Sequence, residues 1–466
     1  MPLLASYTLP HPPVILPEVG RGEERTIQKT ITAYEAAMQE AASLQPDILI
    51  ITSPHAELYM DYFHIAPGNG ASGNFSQFRA PQVELAVRYD TELVHTLCAM
   101  AQQEGLPAGT LGEKNPVLDH GTMIPLYFFR KYKPLAQVKI IRIGLSGLSA
   151  ESHYRLGQCI VKAVEQLGRR AIFLASGDLS HKLRPEGPYG FVPEGPQFDA
   201  ACTQALGQGD FLTLLTLDDK LCEKAAECGL RSFWIMAGAW DGWSIKSRLL
   251  SYEGPFGVGY DIASFHPDKP EESRKLLPYL QQWRQTLRTQ RKAKEDAYVR
   301  LARFTVEHMV KDGEIPPFPD ALPEEMLHTQ AGAFVSLHLH GQLRGCIGTI
   351  SPVRDCVARE ILYNGVAAAT EDPRFTPVQP DELPDLEYSV DILGKPEPVT
   401  ALTQLNPKQY GVIVESTQDA RRGLLLPDLD RVDTCIQGQI AIARQKAHIA
   451  ETEPVKLWRF QVVRHA

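Results

Sequence analysis

The chain has 466 residues, 44% of them apolar and 22% charged, with a formal net charge of −9. That length favours two or three domains with real cores, and the acidic balance excludes bulk attraction to nucleic acid or to an anionic membrane. No apolar run reaches the roughly 18–20 residues of a membrane span, Met1-Pro2-Leu3-Leu4-Ala5 lacks the features of a signal peptide, and the eight cysteines form no CxxC pair, so a cytoplasmic protein is expected.

From the N-terminus to residue 265, short apolar runs alternate with helical patterns. Strands are expected at Leu4–Leu9, Ile48–Thr52, Val83–Val87, Val138–Leu145, Ala171–Ala175, Lys246–Tyr252 and Val258–Phe265. Helices are expected at Arg25–Ser43, Asp90–Glu104, Thr122–Tyr132, Ala150–Leu167, Phe198–Gln208, Phe211–Leu217 and Ala225–Trp240. This alternation predicts an α/β domain over 1–265, with a mainly parallel central sheet flanked by helices. Pro67–Arg79, rich in Gly, Asn and Ser, reads as a surface loop or lid. Residues 266–294 read as a linker, and the basic run from Arg284 to Lys294 as a solvated helix face.

Residues 295–466 predict an α+β domain. An amphipathic helix runs from Asp296 to Met309. The alternating stretch Phe334–His340, the turn Gly341-Gln342 and Leu343–Thr349 read as a hairpin. A helix is expected over Ser351–Ala369, opened by Ser-Pro, with strands at Leu386–Leu393, Tyr410–Ser416 and Gly423–Pro427. Thr434–Glu451 reads as a helix and Val455–Val462 as a closing strand.

Four histidines stand where chemistry gathers on such a sheet. His11 and His55 each follow a buried strand beside proline, which stiffens the exit, and ligands collect outside the carboxyl ends of parallel strands. Two imidazoles and one further donor would leave open positions on Fe(II), the metal expected first, with Zn or Cu as alternatives. The third donor is Glu227, which suits iron, or its neighbour Cys228, which suits softer metals. His120 and His181 are candidates for acid–base work, each with an aspartate nearby, Asp119 and Asp178. Those aspartates could equally cap the helices that follow.

His11-Pro12-Pro13, Ser53-Pro54-His55, Asp119-His120-Gly121-Thr122, Ser176-Gly177-Asp178-Leu179-Ser180-His181 and Glu227-Cys228-Gly229, in that order, resemble the class III extradiol ring-cleavage dioxygenase family, to which Memo-like proteins are related. The resemblance implies a non-haem metal held by His11, His55 and a residue at Glu227 or Cys228. It also implies a catechol-like or phenolic substrate, with His181 as the base that deprotonates it and His120 as an acid outside the ligand set. Ring-cleaving members use a carboxylate as third ligand and Memo-like relatives a cysteine; Glu227 is preferred.

In the second domain, Leu343-Arg344-Gly345-Cys346-Ile347-Gly348-Thr349 could supply an anion clamp in Arg344 and a nucleophile or ligand in Cys346. This run and Glu371-Asp372-Pro373-Arg374-Phe375 resemble the AMMECR1 family. Glu371, Asp372 and Arg374 join the candidate site if the fold brings the two segments together. A chain with both halves resembles the fused proteins of the AmmeMemoRadiSam system, which implies a Memo-like protein and a radical SAM enzyme as partners. Lacking a CxxxCxxC run, this chain is not itself the radical enzyme. No nucleic-acid or membrane partner is expected, and a homodimer is left open.

Overall fold

In the computed structural model, which describes residues 3–319, 321–339, 341–427 and 435–466, the chain divides into two compact units, Met1–Gln285 and Thr286–Ala466. Met1, Pro2, His340 and Thr434, which enter the sequence expectations, lie outside the described residues.

The first unit is built on a six-stranded sheet. Its order is Lys139–Gly144, Ile48–Ser53, Ala171–Ser176, Ala5–Leu9, Tyr260–Pro270 and Trp243–Glu253. The first four strands are mutually parallel, and the last two form an antiparallel pair on the edge. Alternate residues face opposite sides of a strand, and here both sides are buried. Ile48, Ile50 and Phe173 enter one core, while Leu49, Ile51 and Ile172 enter the other. Helices Thr91–Gln103, Ala150–Gln166, Glu194–Gln208 and Leu230–Ala239 supply the first core; Gln28–Ser43 and His120–Phe129 supply the second. Strands covered on both faces read as continuous apolar runs, which is why this sheet is legible in the sequence.

Two expectations are corrected. Val83–Val87 belongs to strand Ala80–Arg88, which pairs with Gly70–Phe75 in a separate hairpin, so Pro67–Arg79 carries a strand and is not all loop. One face of this hairpin is exposed, so its small polar residues are tolerated. The helix expected over Ala225–Trp240 is interrupted: one helix ends at Ala225, Ala226 is left-handed at φ 54°, and the next begins at Leu230. Residues 266–294 hold the end of strand Tyr260–Pro270 and helix Leu277–Lys294, whose Arg284 pairs with Glu151 at 2.9 Å.

The second unit holds two four-stranded sheets. One has the order Gln342–Gly348, Ala333–Leu339, Leu386–Leu393 and Val462–His465. The other has the order Glu397–Pro398, Val455–Phe460, Gly411–Ser416 and Arg422–Leu425. The expected closing strand Val455–Val462 is therefore divided between the sheets. The helix expected from Ser351 begins at Val357, because the Glu360 carboxylate accepts the Val353 and Arg354 N–H groups and folds that stretch back over the helix start. Among the described residues no helix is long and apolar enough to cross a membrane.

Two carboxyls in the first unit's core make stability depend on pH. Burial pushes Asp199 and Asp261 each up to about 7. Their folded-state values lie above the unfolded value of about 3.9, so the stability they contribute is complete below that value and is lost as pH rises through about 7. Melting temperature is expected to fall from about pH 5 to about pH 8, and Asp261→Asn to flatten that fall. A thermal melt series in matched buffers checks this; equal slopes in the two proteins would refute it.

Candidate metal centre

Three adjacent parallel strands end side by side, and each is followed two residues on by a polar group: Leu9 by His11, Ser53 by His55 and Ser176 by Asp178. His11 is 2% exposed. Its N–H donates to Asp178 Oδ1 at 2.8 Å, and its Nδ1 lies 3.0 Å from Ser176 Oγ. Ser176 Oγ donates its one hydrogen to the Gly121 carbonyl at 2.7 Å. It must therefore accept from His11, which puts the proton on Nδ1 and the lone pair on Nε2.

That lone pair faces His55 Nε2 at 3.0 Å. His55 is an exposed residue whose side chain lines a cavity. His120 opens a helix capped by Asp119, which accepts the Thr122 N–H and hydroxyl at 2.9 and 2.8 Å. The His120 ring lies 4.0 Å from that of His55 and 5.5 Å from that of His11. On the other side, Cys228 Sγ lies 3.7 Å from His11 Nε2 and accepts the Asp178 N–H at 3.2 Å. Two donor groups thus share His11, one with His55 and His120, the other with Asp178 and Cys228.

Of the two neighbours read as third donor, with Glu227 preferred, Cys228 is the one that lies in a donor group with His11. The Glu227 carboxylate accepts the Leu230 N–H at 2.7 Å, capping helix Leu230–Ala239, and belongs to neither donor group. Asp178 caps no helix, unlike Asp119, and instead holds the His11 backbone. Beside the centre, His181 stacks on Tyr189 at 5.1 Å, and its Nε2 is buried with no hydrogen-bond partner among the described residues.

Burial and the neighbouring His55 drive His11 well below the usual imidazole range. Burial, then His55 and His11, brings His120 down to about 3. Loss of solvent around its ring lowers His55, although the residue as a whole is exposed, against the pull of Asp119 and Asp178, and burial lowers His181 against Asp178. These are neutral imidazoles, the form that donates to a metal. Burial pushes the Cys228 thiol well up and Asp178 up to about 6, a cost that a cation among them would reverse. The pair of His11 and His55 fits one ion, since two nitrogens at bond lengths of about 2.1 Å and about 90° apart are about 3 Å from each other, while Cys228 shares its donor group with His11 and Asp178.

A cavity of about 510 Å3 opens beside this centre, lined by His55, Glu57, Leu58, Asn74, Ser76, Gln77, Asn115, Val117, Leu118, Asp119, His120 and Arg142. Glu57 and Arg142 escaped the sequence reading, and Ser176 entered it only within the motif that runs to His181, with no role of its own. Only the strand-exit position of Ser176 could have signalled it.

In the second unit, Cys346, Asp372 and Arg374 come together. The Cys346 N–H donates to Asp372 Oδ2 at 2.8 Å, and the Arg374 guanidinium donates to both Asp372 oxygens at 2.9 and 2.7 Å. Arg344 is engaged elsewhere, donating to both Glu382 oxygens at 2.7 and 3.0 Å and to the Thr376 carbonyl at 2.9 Å. The guanidinium expected as an anion clamp is thus held in an internal pair. Glu371 is an exposed helix C-cap. Burial pushes the Cys346 thiol up while Ser336 donates to it at 3.1 Å. A protonated thiol is a poor nucleophile, so the geometry there is that of a clasp.

Residues 5–263 match the family described as the catalytic LigB subunit of aromatic ring-opening dioxygenase, and residues 299–465 match AMMECR1. A protein of Clostridium acetobutylicum is 41% identical over 473 residues, covering 100% of this chain and 99% of that protein. A Thermotoga maritima protein is 49% identical over 173 residues, 37% of this chain and 98% of that one. The crystal structure of an uncharacterized Escherichia coli K12 protein, JW3007, has 18% identity and a TM-score of 0.38 over 56% of this chain and 99% of its own. The chain belongs to the LigB family, with an AMMECR1 domain fused behind its LigB domain.

Proposed function

We propose that the first unit is a non-haem metal enzyme in which His11, His55 and Cys228 hold the ion, Fe(II) first among candidates, and that it acts on a catechol-like or phenolic small molecule. The observation that carries the reading is His11 Nε2, its lone pair aimed by Ser176, with His55 Nε2 at 3.0 Å in one donor group and Cys228 Sγ at 3.7 Å in the other.

The ion supplies Lewis-acid binding of phenolic oxygens and, as iron, a partner for dioxygen. The chain's own residues do the rest. Neutral His181, with Nε2 unpartnered, takes the proton of a substrate hydroxyl. His120, beside His55 on the cavity wall, donates a hydrogen bond to the substrate's oxygen and holds it in place. Val117 and Leu118 give the ring an apolar surface.

The test is anaerobic reconstitution with Fe(II), then a catechol panel and air, following absorbance of a ring-opened product and oxygen consumption. Turnover by wild type and its loss in His181→Ala, by about 100-fold or more, is the expected result. Metal-loaded protein that leaves every catechol intact would overturn the enzymatic reading. A second reading, favoured by a cysteine beside His11 where ring-cleaving relatives use a carboxylate, is a non-dioxygenase component of a modification system. In it the AMMECR1 domain receives a substrate or a partner, such as a radical SAM enzyme or a Memo-like protein.

A further inference from the structure

The charges around the cavity are unbalanced. Arg142 is its lining cation, and that side chain is 2% exposed. Its guanidinium is already held by Glu113 at 3.3 Å, Asp119 at 3.9 Å and the Val117 carbonyl at 2.8 Å. Two carboxylates therefore already answer this one guanidinium. Glu57 adds a further negative charge. Its Oε1 accepts the Lys114 and Asn115 N–H groups at 2.9 and 2.7 Å, leaving Oε2 without a partner among the described residues. The nearby Lys114 ammonium sits over the Tyr59 ring at 4.9 Å instead of on this carboxylate. The other polar lining groups, Asn74, Ser76, Gln77 and Asn115, are uncharged.

We infer that the cavity selects an aromatic diol carrying an amine over one carrying a carboxylate, with Glu57 Oε2 as the acceptor of the ammonium. This rests on the catechol reading above and narrows it. A ring carboxylate would enter a cavity whose lining cation, Arg142, is buried and already paired, and would lose its hydration. An alkylammonium would gain a charge-assisted hydrogen bond. The apolar ring is common to both, so the side-chain charge decides.

The experiment measures binding to the Fe(II)-loaded full chain by calorimetry without oxygen. The probes are 4-(2-aminoethyl)catechol, 4-methylcatechol and 3,4-dihydroxybenzoate. The amine is expected to bind about tenfold tighter than the methyl compound and the acid about tenfold weaker. Glu57→Gln keeps an oxygen for the two loop N–H groups and is expected to bring the amine-to-methyl ratio to about one. Raising salt in the wild-type protein should compress the same ratio, a check that needs no variant. Acid binding as tight as amine binding, or a preference that survives both Glu57→Gln and salt, would overturn the inference while leaving the catechol reading standing. If none of the three binds, the catechol reading falls and takes this inference with it.

Discussion

Cys228→Ser is expected to lower metal affinity by at least about 100-fold, whereas Glu227→Gln leaves it unchanged. The two residues are adjacent, yet the turn sends them apart: Cys228 Sγ to within 3.7 Å of His11 Nε2, Glu227 onto the Leu230 N–H at 2.7 Å. A serine hydroxyl keeps the size of the thiol but is a poor anion at neutral pH, so it loses the charged donor. A glutamine keeps a carbonyl oxygen for the Leu230 N–H, so the cap survives and stability should change by no more than about 1 kcal/mol. Metal content of the two purified variants, with calorimetric titration of the apo forms, reads the difference directly. Retained affinity in Cys228→Ser, or loss in Glu227→Gln with intact folding, would reject Cys228 as the ligand.

The same pair shows where sequence reading reached its limit. His11 and His55 were legible because each ends a run buried on both faces, and a proline beside each marks the exit. The helix from Ala225 was expected to run unbroken because Ala225 to Trp240 keeps helical spacing. On one continuous helix, neighbours project about 100° apart and chemistry alone must choose between them. The left-handed Ala226 that makes the turn has no residue-type signal, since alanine rarely adopts φ 54°. The partner sheet of Val83, Leu85 and Val87 was hidden for another reason. Alternation shows that a strand has one buried face, not which strand it pairs with. Contacts such as His11 N–H to Asp178, spanning 167 positions, follow only once the strand order is known.

In the second unit, the sequence pointed to Cys346, Asp372 and Arg374, and these do meet, but the chemistry ascribed to Cys346 does not follow. Arg374 draws Asp372 down to about 2 and ties it to the Cys346 backbone, so this arrangement braces the strand. A motif of Arg, Cys and Asp looks the same in one dimension whether it clasps a hairpin or works on a ligand. Burial and hydrogen-bond direction tell them apart.

Gly177→Ala is expected to weaken the metal centre by about 10- to 100-fold although every donor is left in place. A Cβ on Gly177 would lie 2.0 Å from Gly229 Cα and 3.0 Å from Gly229 N. These are backbone atoms and cannot rotate aside, so the strand exit and the turn must separate. That separation pulls on the Cys228 and Gly229 N–H groups, which donate to the Asp178 carbonyl at 3.3 and 3.0 Å. It also pulls on the Asp178 N–H to Cys228 Sγ bond of 3.2 Å. The two glycines thus set the distance between the thiol and His11, and overpacking there costs about 1–3 kcal/mol. Gly207→Ala is the control: its Cβ would meet nothing closer than Leu249 Cβ at 3.6 Å. Alanine inside helix Glu194–Gln208 should stabilise by up to about 1 kcal/mol. Metal titration and melting of both variants decide the matter. If Gly177→Ala binds metal as wild type does, the close approach of the two loops is not what sets the centre's geometry.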